Sequence, residues 1–301
     1  MALSGSRWLP IALACTAGLV LGGGTAALVM RSGDSQDVPT QSSSAQGTPA
    51  QSSVSPSSSS SAGAPGGGTV PAQAMVSFTF DDGKKNQYQN AMTTLDKAGF
   101  KGTFYVIGGA IDDWPEFRAK YMDATEVKTL SKNHEVVNHT WNHENLADLA
   151  KGKTPAAAEA AIKTEIAKTQ EKIAKVIGAP PKTCAYPFGG VNPLVVKVAK
   201  QYLSACRTTT VGLNSPADDL YQLQIFYMTS KTTSADLDKA LKDAKTENKW
   251  LILCYHDVTP ADDASDEYDV TTAAFTSQVQ AVKKTGLPVK TVAQALGLAG
   301  A

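Results

Sequence analysis

Ser77-Phe78-Thr79-Phe80-Asp81-Asp82-Gly83 is an apolar strand that runs into two adjacent carboxylates and a glycine. Neighbouring side chains leave an extended backbone in different directions, so one acid is free to hold a metal while the other handles a proton beside it. The plainer alternative is that Asp-Asp-Gly merely closes a strand with turn residues. The surrounding chain decides between the two.

On the C-terminal side the pattern alternates strand and helix. Met75 to Asp81 reads as a strand, Tyr88 to Ala98 as a helix, and Gly102 to Ile107 as a second strand rich in β-branched and aromatic residues. Short helices follow near Trp114 and over Thr125 to Lys132, then a strand over His134 to Asn138. Thr154-Pro155 opens a long helix with an N-cap residue and a first-turn proline; its apolar stripe is Ile162, Ile166, Ile173 and Ile177, and Gly178 ends it. Strands at Thr183 to Tyr186, Leu203 to Thr208, Leu223 to Tyr227 and Trp250 to Tyr255 alternate with helices at Pro193 to Gln201 and Ala235 to Thr246, before a last helix over Ala273 to Lys284. Strict alternation implies a parallel sheet, and about seven strands suggest an α/β fold closed, or nearly closed, into a (β/α) barrel.

On the N-terminal side two segments stand apart. Residues 8–30 carry no charge and are apolar throughout, between Arg7 and Arg31, which is long enough to span a bilayer. Residues 1–31 are therefore a signal anchor or a cleaved signal peptide, with lipid modification at Cys15 a poorer fit; each version places the remainder outside the cytoplasm. Residues 32–74, rich in Ser, Gln, Pro, Gly and Ala, have too little apolar surface to fold and read as a disordered tether with a reach of roughly 35 Å. That leaves 75–301 as one catalytic-sized domain. The 28 basic and 28 acidic residues balance, which argues against nucleic acid as the main partner.

Barrel chemistry sits at the C-terminal ends of the strands, where the polar candidates fall. His139-Thr140-Trp141-Asn142-His143 follows the third strand, and on a helical turn the i, i+4 spacing turns both imidazoles to one side. Two histidines and a carboxylate make a three-ligand site with open positions, as catalytic zinc uses. Tyr186-Pro187-Phe188-Gly189-Gly190 ends the fourth strand in a tight turn, and His256 ends the last. Cys254 shares the face of His256, which makes it a candidate lining for an acyl methyl. Cys184 and Cys206 lie on successive strands and could pair, given the right Cβ geometry.

In order and spacing, Thr79-Phe80-Asp81-Asp82-Gly83, His139 to His143 and Leu253 to Asp257 resemble the motifs of the polysaccharide deacetylases of carbohydrate esterase family 4, the NodB-homology domain. The resemblance covers residues 75 to about 297. It implies a distorted seven-stranded (β/α) barrel that removes acetyl groups from a polysaccharide, with Asp82, His139 and His143 as metal ligands, Asp81 as general base and His256 as general acid. The metal would be one divalent ion, Zn2+ or else Co2+, Ni2+, Mn2+ or Fe2+. Tyr186, Phe188 and Cys254 would meet the substrate, with the Phe188 N–H as an oxyanion donor.

Many members carry an arginine where this chain has Ala185, and that arginine steers the base; here Arg207 could reach Asp81 from the neighbouring strand. The substrate class stays open between N-acetylated amino-sugar polymers and O-acetylated xylan, and a catalytically silent carbohydrate-binding barrel is the alternative. A monomer at the extracellular side of the cell envelope is expected, held to the membrane through residues 8–30 if they are not cleaved.

Overall fold

The computed structural model describes residues 67–298. The apolar segment 8–30, Cys15 and most of the expected tether lie outside the described residues. Alternation along the first and last barrel strands sets the architecture. On β1 (Met75–Phe80), Phe78 and Phe80 join the layer between barrel and helices, where Phe80 stacks on Phe104 at 4.6 Å and Tyr255 at 5.4 Å. Ser77 and Thr79 alternate with them, and the Ser77 hydroxyl accepts a 2.9 Å hydrogen bond from the Trp250 indole.

Six further strands complete the sheet: β2 (Gly102–Val106), β3 (Glu135–Asn138), β4 (Thr183–Ala185), β5 (Ala205–Val211), β6 (Leu223–Tyr227) and β7 (Trp250–Tyr255). All pairings between them are parallel, in the order β1 to β7, and β7 pairs with β1 along its whole length, from Met75 opposite Trp250 to Phe80 opposite Tyr255. The expected α/β class and seven-stranded barrel are thus observed. Around it run α1 (Thr93–Ala98), α2 (Ala124–Leu130), α3 (Pro155–Ile177), α4 (Pro193–Ala199), α5 (Ser234–Glu247), α6 (Thr272–Thr285) and α7 (Val292–Ala295). Thr154 caps α3 through Ala157 N, and left-handed Gly178 ends it, as the cap residues imply.

Three local features depart from the sequence expectation. The helix over Tyr88 to Ala98 begins as a π-helical stretch, Gln87–Met92. A small parallel pair, β8 (Asp257–Thr259) and β9 (Asp269–Thr271), follows β7 directly. Residues 67–74, expected as tether, lie along the domain: Val70 is buried beside Leu296, and Thr69 N donates to Leu296 O at 3.1 Å. Val70 is one apolar residue among Gly and Pro, too weak a pattern to mark a packed segment.

Cys184 and Cys206, whose pairing the sequence left open, are disulfide-bonded. They are register partners on β4 and β5 with Cα atoms 4.4 Å apart, which supplies the geometry that spacing alone could not. Because the bond closes a loop with a sequence separation of 22, its reduction is expected to lower stability by about 3 kcal/mol. Urea unfolding with and without reductant measures this; identical midpoints would show that the bond adds nothing.

Candidate functional site

The turn after β1 is left-handed at two consecutive residues, Asp82 (φ 77°) and Gly83 (φ 74°). At Gly83 a side chain would also sit 3.0 Å from Val106 Cγ1, so glycine is needed for both conformation and space. The turn swings Asp82 away from Asp81. Asp82 Oδ1 then lies 3.5 Å from His139 Nε2 and 3.3 Å from His143 Nε2.

The path between the histidines is not the helical turn expected from their spacing. Thr140 and His143 both have positive φ, 65° and 59°, and the segment is an open loop. Its backbone donors are satisfied elsewhere. Thr140 N donates to Asn138 Oδ1 at 2.8 Å, while Trp141 N and Asn142 N donate to Glu165 Oε2 at 3.1 and 2.8 Å. Glu165 is a buried carboxylate of α3 and holds the loop in this shape. The imidazoles still converge, their centroids 4.8 Å apart.

His139 Nδ1 lies 2.9 Å from Ala185 O. A carbonyl only accepts, so Nδ1 carries the proton and Nε2 presents its lone pair toward Asp82. Burial, then the nearness of His139, pushes His143 down to about 4, so its imidazole is neutral at pH 7. Burial alone would raise the Asp82 pKa, but the imidazoles of His139, His256 and His143 and the Lys84 ammonium around it hold it well below the usual carboxylate range. Asp82 Oδ1 is buried without a hydrogen-bond partner. That orphaned oxygen and two ring nitrogens, all within 4.8 Å of one another, form a donor set suited to a divalent cation.

Asp81 faces the other way. Its Oδ1 pairs with Nη2 of Arg207, which is only 1% exposed and lies with its guanidinium carbon 4.5 Å from the Tyr105 ring centroid. Arg207 stands beside Ala185 in the β4–β5 register, one strand over from where an arginine was expected. His256 Nε2 is 3.9 Å from Asp81 Oδ2 and Cys254 Sγ is 3.7 Å from the same oxygen. Burial, followed by the opposing pull of Asp82 and the push of Arg207, brings His256 down to about 4. Its ring lies between Tyr227, parallel at 6.4 Å, and Tyr268 at 4.8 Å, and its Nδ1 is buried without a partner.

The site therefore gathers Asp81, Asp82, His139, His143, Arg207 and His256 at one end of the barrel. Phe188, left-handed at φ 57°, stands at the rim with its ring 4.8 Å from that of His143. Two candidates sit deeper than a substrate-facing role requires. Tyr186 is 1% exposed and packs its ring among Leu146, Ile162 and Val195, so only its backbone borders the rim. Cys254 is fully buried beneath Asp81. Sequence reading missed Glu165, Gln87 and Lys84. Gln87 Nε2 donates to the carbonyls of both Asp81 and His256, tying together the two strand ends. Lys84 Nζ bridges Asp82 Oδ2 at 3.5 Å and Asp257 Oδ2 at 3.4 Å.

Residues 69–203 match the family model described as polysaccharide deacetylase, which bears out the resemblance read from the motifs. A Bacillus subtilis protein named peptidoglycan-N-acetylmuramic acid deacetylase PdaC is 32% identical over 123 residues, 40% of this chain and 23% of its own length. The poly-beta-1,6-N-acetyl-D-glucosamine N-deacetylase of Staphylococcus aureus (strain MRSA252) is 28% identical over 146 residues, 46% of this chain and 50% of its own. The chain thus spans half or less of these relatives. The solved Bc1960 peptidoglycan N-acetylglucosamine deacetylase shares the fold, with a TM-score of 0.50 at 17% identity over 77% of this chain and 92% of that one.

Removing Arg207 leaves the buried Asp81 carboxylate without its cation. Arg207→Met is expected to cost about 3–5 kcal/mol in urea unfolding, with part recovered when Asp81→Asn is added. Strictly additive costs in this double-mutant cycle would show that the two groups are not coupled.

Proposed function

We propose, from the polysaccharide deacetylase match over residues 69–203, that this protein is a metal-dependent hydrolase that removes N-acetyl groups from an amino-sugar polysaccharide. The convergence of Asp82, His139 and His143 beside the Asp81–Arg207 pair and His256 carries this reading. A divalent ion at the triad, zinc being well suited to two imidazoles and a carboxylate, would polarise the acetyl carbonyl and acidify water.

The chain's own groups account for the protons. Arg207 holds Asp81 in place as the base that takes a proton from the attacking water. Water oxygen bonds to the acetyl carbon, the carbon–nitrogen bond breaks, and the departing nitrogen needs that proton. His256, 3.9 Å from Asp81 Oδ2, is the proposed relay. A depressed pKa leaves His256 neutral at rest and makes it a strong donor once protonated. The Phe188 N–H is the proposed donor to the carbonyl oxygen as it gains charge. Products are a free amine and acetate.

A peptidoglycan or poly-N-acetylglucosamine substrate accords with what the two named relatives are said to act on. The Cys184–Cys206 bond accords with work outside the reducing cytoplasm, with residues 8–30 as membrane anchor or export signal.

Acetate release by the full chain from peptidoglycan, chitin oligomers, exopolysaccharide and acetylated xylan tests the reading. His256→Ala should keep bound metal yet lose about 10²- to 10⁴-fold in turnover on the N-acetyl substrate. The loss should be smaller on xylan esters, whose alkoxide leaves with less proton assistance. Equal, small losses on both would remove His256 from the chemistry; no acetate from any polymer would favour a silent binding barrel.

A further inference from the structure

Among the described residues, the large apolar side chains that stand exposed are Phe117, Phe188, Val211 and Tyr268. They follow β2, β4 and β7, or end β5, so all lie at the C-terminal side of barrel strands. Such side chains are usually buried, and exposed ones gathered on one face mark a surface that a ligand covers. Phe188 and Tyr268 flank the candidate metal centre and His256. Phe117, 43% exposed, has no part in the proposed reaction.

Phe117 belongs to a triangle of rings. It packs edge-on against Trp114 at 6.0 Å and Tyr121 at 6.2 Å, and those two rings are 6.4 Å apart. The segment carrying them is tied to the turn that holds the two aspartates. Met122 N donates to Gly83 O at 3.0 Å, Lys85 N donates to Lys120 O at 2.9 Å, and Lys84 and Tyr121 form an antiparallel bridge. Trp114 covers Gly109 so closely that a side chain there would meet Trp114 Cζ2 at 2.8 Å. Lys84 Nζ, 3.5 Å from Asp82, lies 5.7 Å from the Tyr121 ring centroid.

We propose that Trp114, Phe117 and Tyr121 form a distal pyranose-binding platform, which stacks on one sugar of the polymer whose acetyl group lies at the metal centre. The inference rests on the deacetylase reading for what occupies the centre. It adds which residues of this chain would hold a sugar of that polymer away from the metal centre. One face of a pyranose presents C–H groups while its edge presents hydroxyls; a ring held by edge-on neighbours matches the face at little conformational cost. The platform's attachment to the aspartate turn fixes its distance from the chemistry.

Native gels cast with glycol chitin, soluble peptidoglycan fragments or acetylated xylan read polymer binding by the full chain without turnover. At least one should retard the parent. Phe117→Ala should weaken that retardation about three- to tenfold, and Phe117→Tyr should restore it. Because Phe117 is 43% exposed and outside the barrel core, the alanine variant should melt close to the parent, and a melting curve separates weakened binding from unfolding. Equal retardation of parent and Phe117→Ala, or retardation of neither, overturns the platform. Acetate release is scored separately: binding that depends on Phe117 without acetate from any polymer keeps the platform and removes the deacetylase reading.

Discussion

Closure of the sheet between β1 and β7 is the constraint on which the site depends. The six register pairs from Met75–Trp250 to Phe80–Tyr255 bring residues about 175 positions apart to the same height, and Asp81 N continues the ladder by donating to Tyr255 O at 2.9 Å. His256 is thereby set beside Asp81 without any loop having to find it. In a parallel barrel every strand ends on one face, so the turn after β1, the loop after β3 and the end of β7 contribute to one small volume. What local sequence must add is direction. Left-handed Asp82 sends one carboxylate toward the imidazoles while Asp81 stays with the barrel interior.

The Ala185–Arg207 register pair shows how such a site tolerates rearrangement. Adjacent strands present their inward side chains side by side, so a long cation on β5 reaches the Asp81 carboxylate past the small Ala185 of β4. Position 185 keeps a different duty. Its carbonyl fixes the His139 tautomer, and a backbone group does that with any side chain. The buried Arg207 is accommodated because Asp81 neutralises it and the Tyr105 face covers it, whereas either charge alone at that depth would be costly. The Cys184–Cys206 bond lies one residue before each member of the pair and joins their strands.

Much of this was legible from residues alone, because strand ends, caps and motif order are local or follow from alternation. The strand limits of β6 and β7, the Thr154–Gly178 limits of α3 and the cluster of Asp82, His139 and His143 all follow from such signals. What escaped was set by tertiary partners. The i, i+4 histidines suggest a helical turn, yet Glu165 offers the loop better acceptors than a helix would; a carboxylate within the stripe of Ile162 and Ile166 was the available hint. Tyr186 was read as rim because its backbone is rim, while its ring finds the apolar layer under α3 and α4. Disulfide pairing required the register of β4 and β5, and the Lys84 bridge required Asp257, both set by closure.

Three side chains from two strand ends are proposed to hold one catalytic cation. Crystals of the full chain or its barrel, measured on both sides of the absorption edge of the bound metal, test this most directly. The expected result is a single anomalous peak per chain, bonded to Asp82 Oδ1, His139 Nε2 and His143 Nε2 at roughly 2.0–2.2 Å, as zinc requires. A peak elsewhere, or none in protein that releases acetate at full rate, would contradict this ligand assignment.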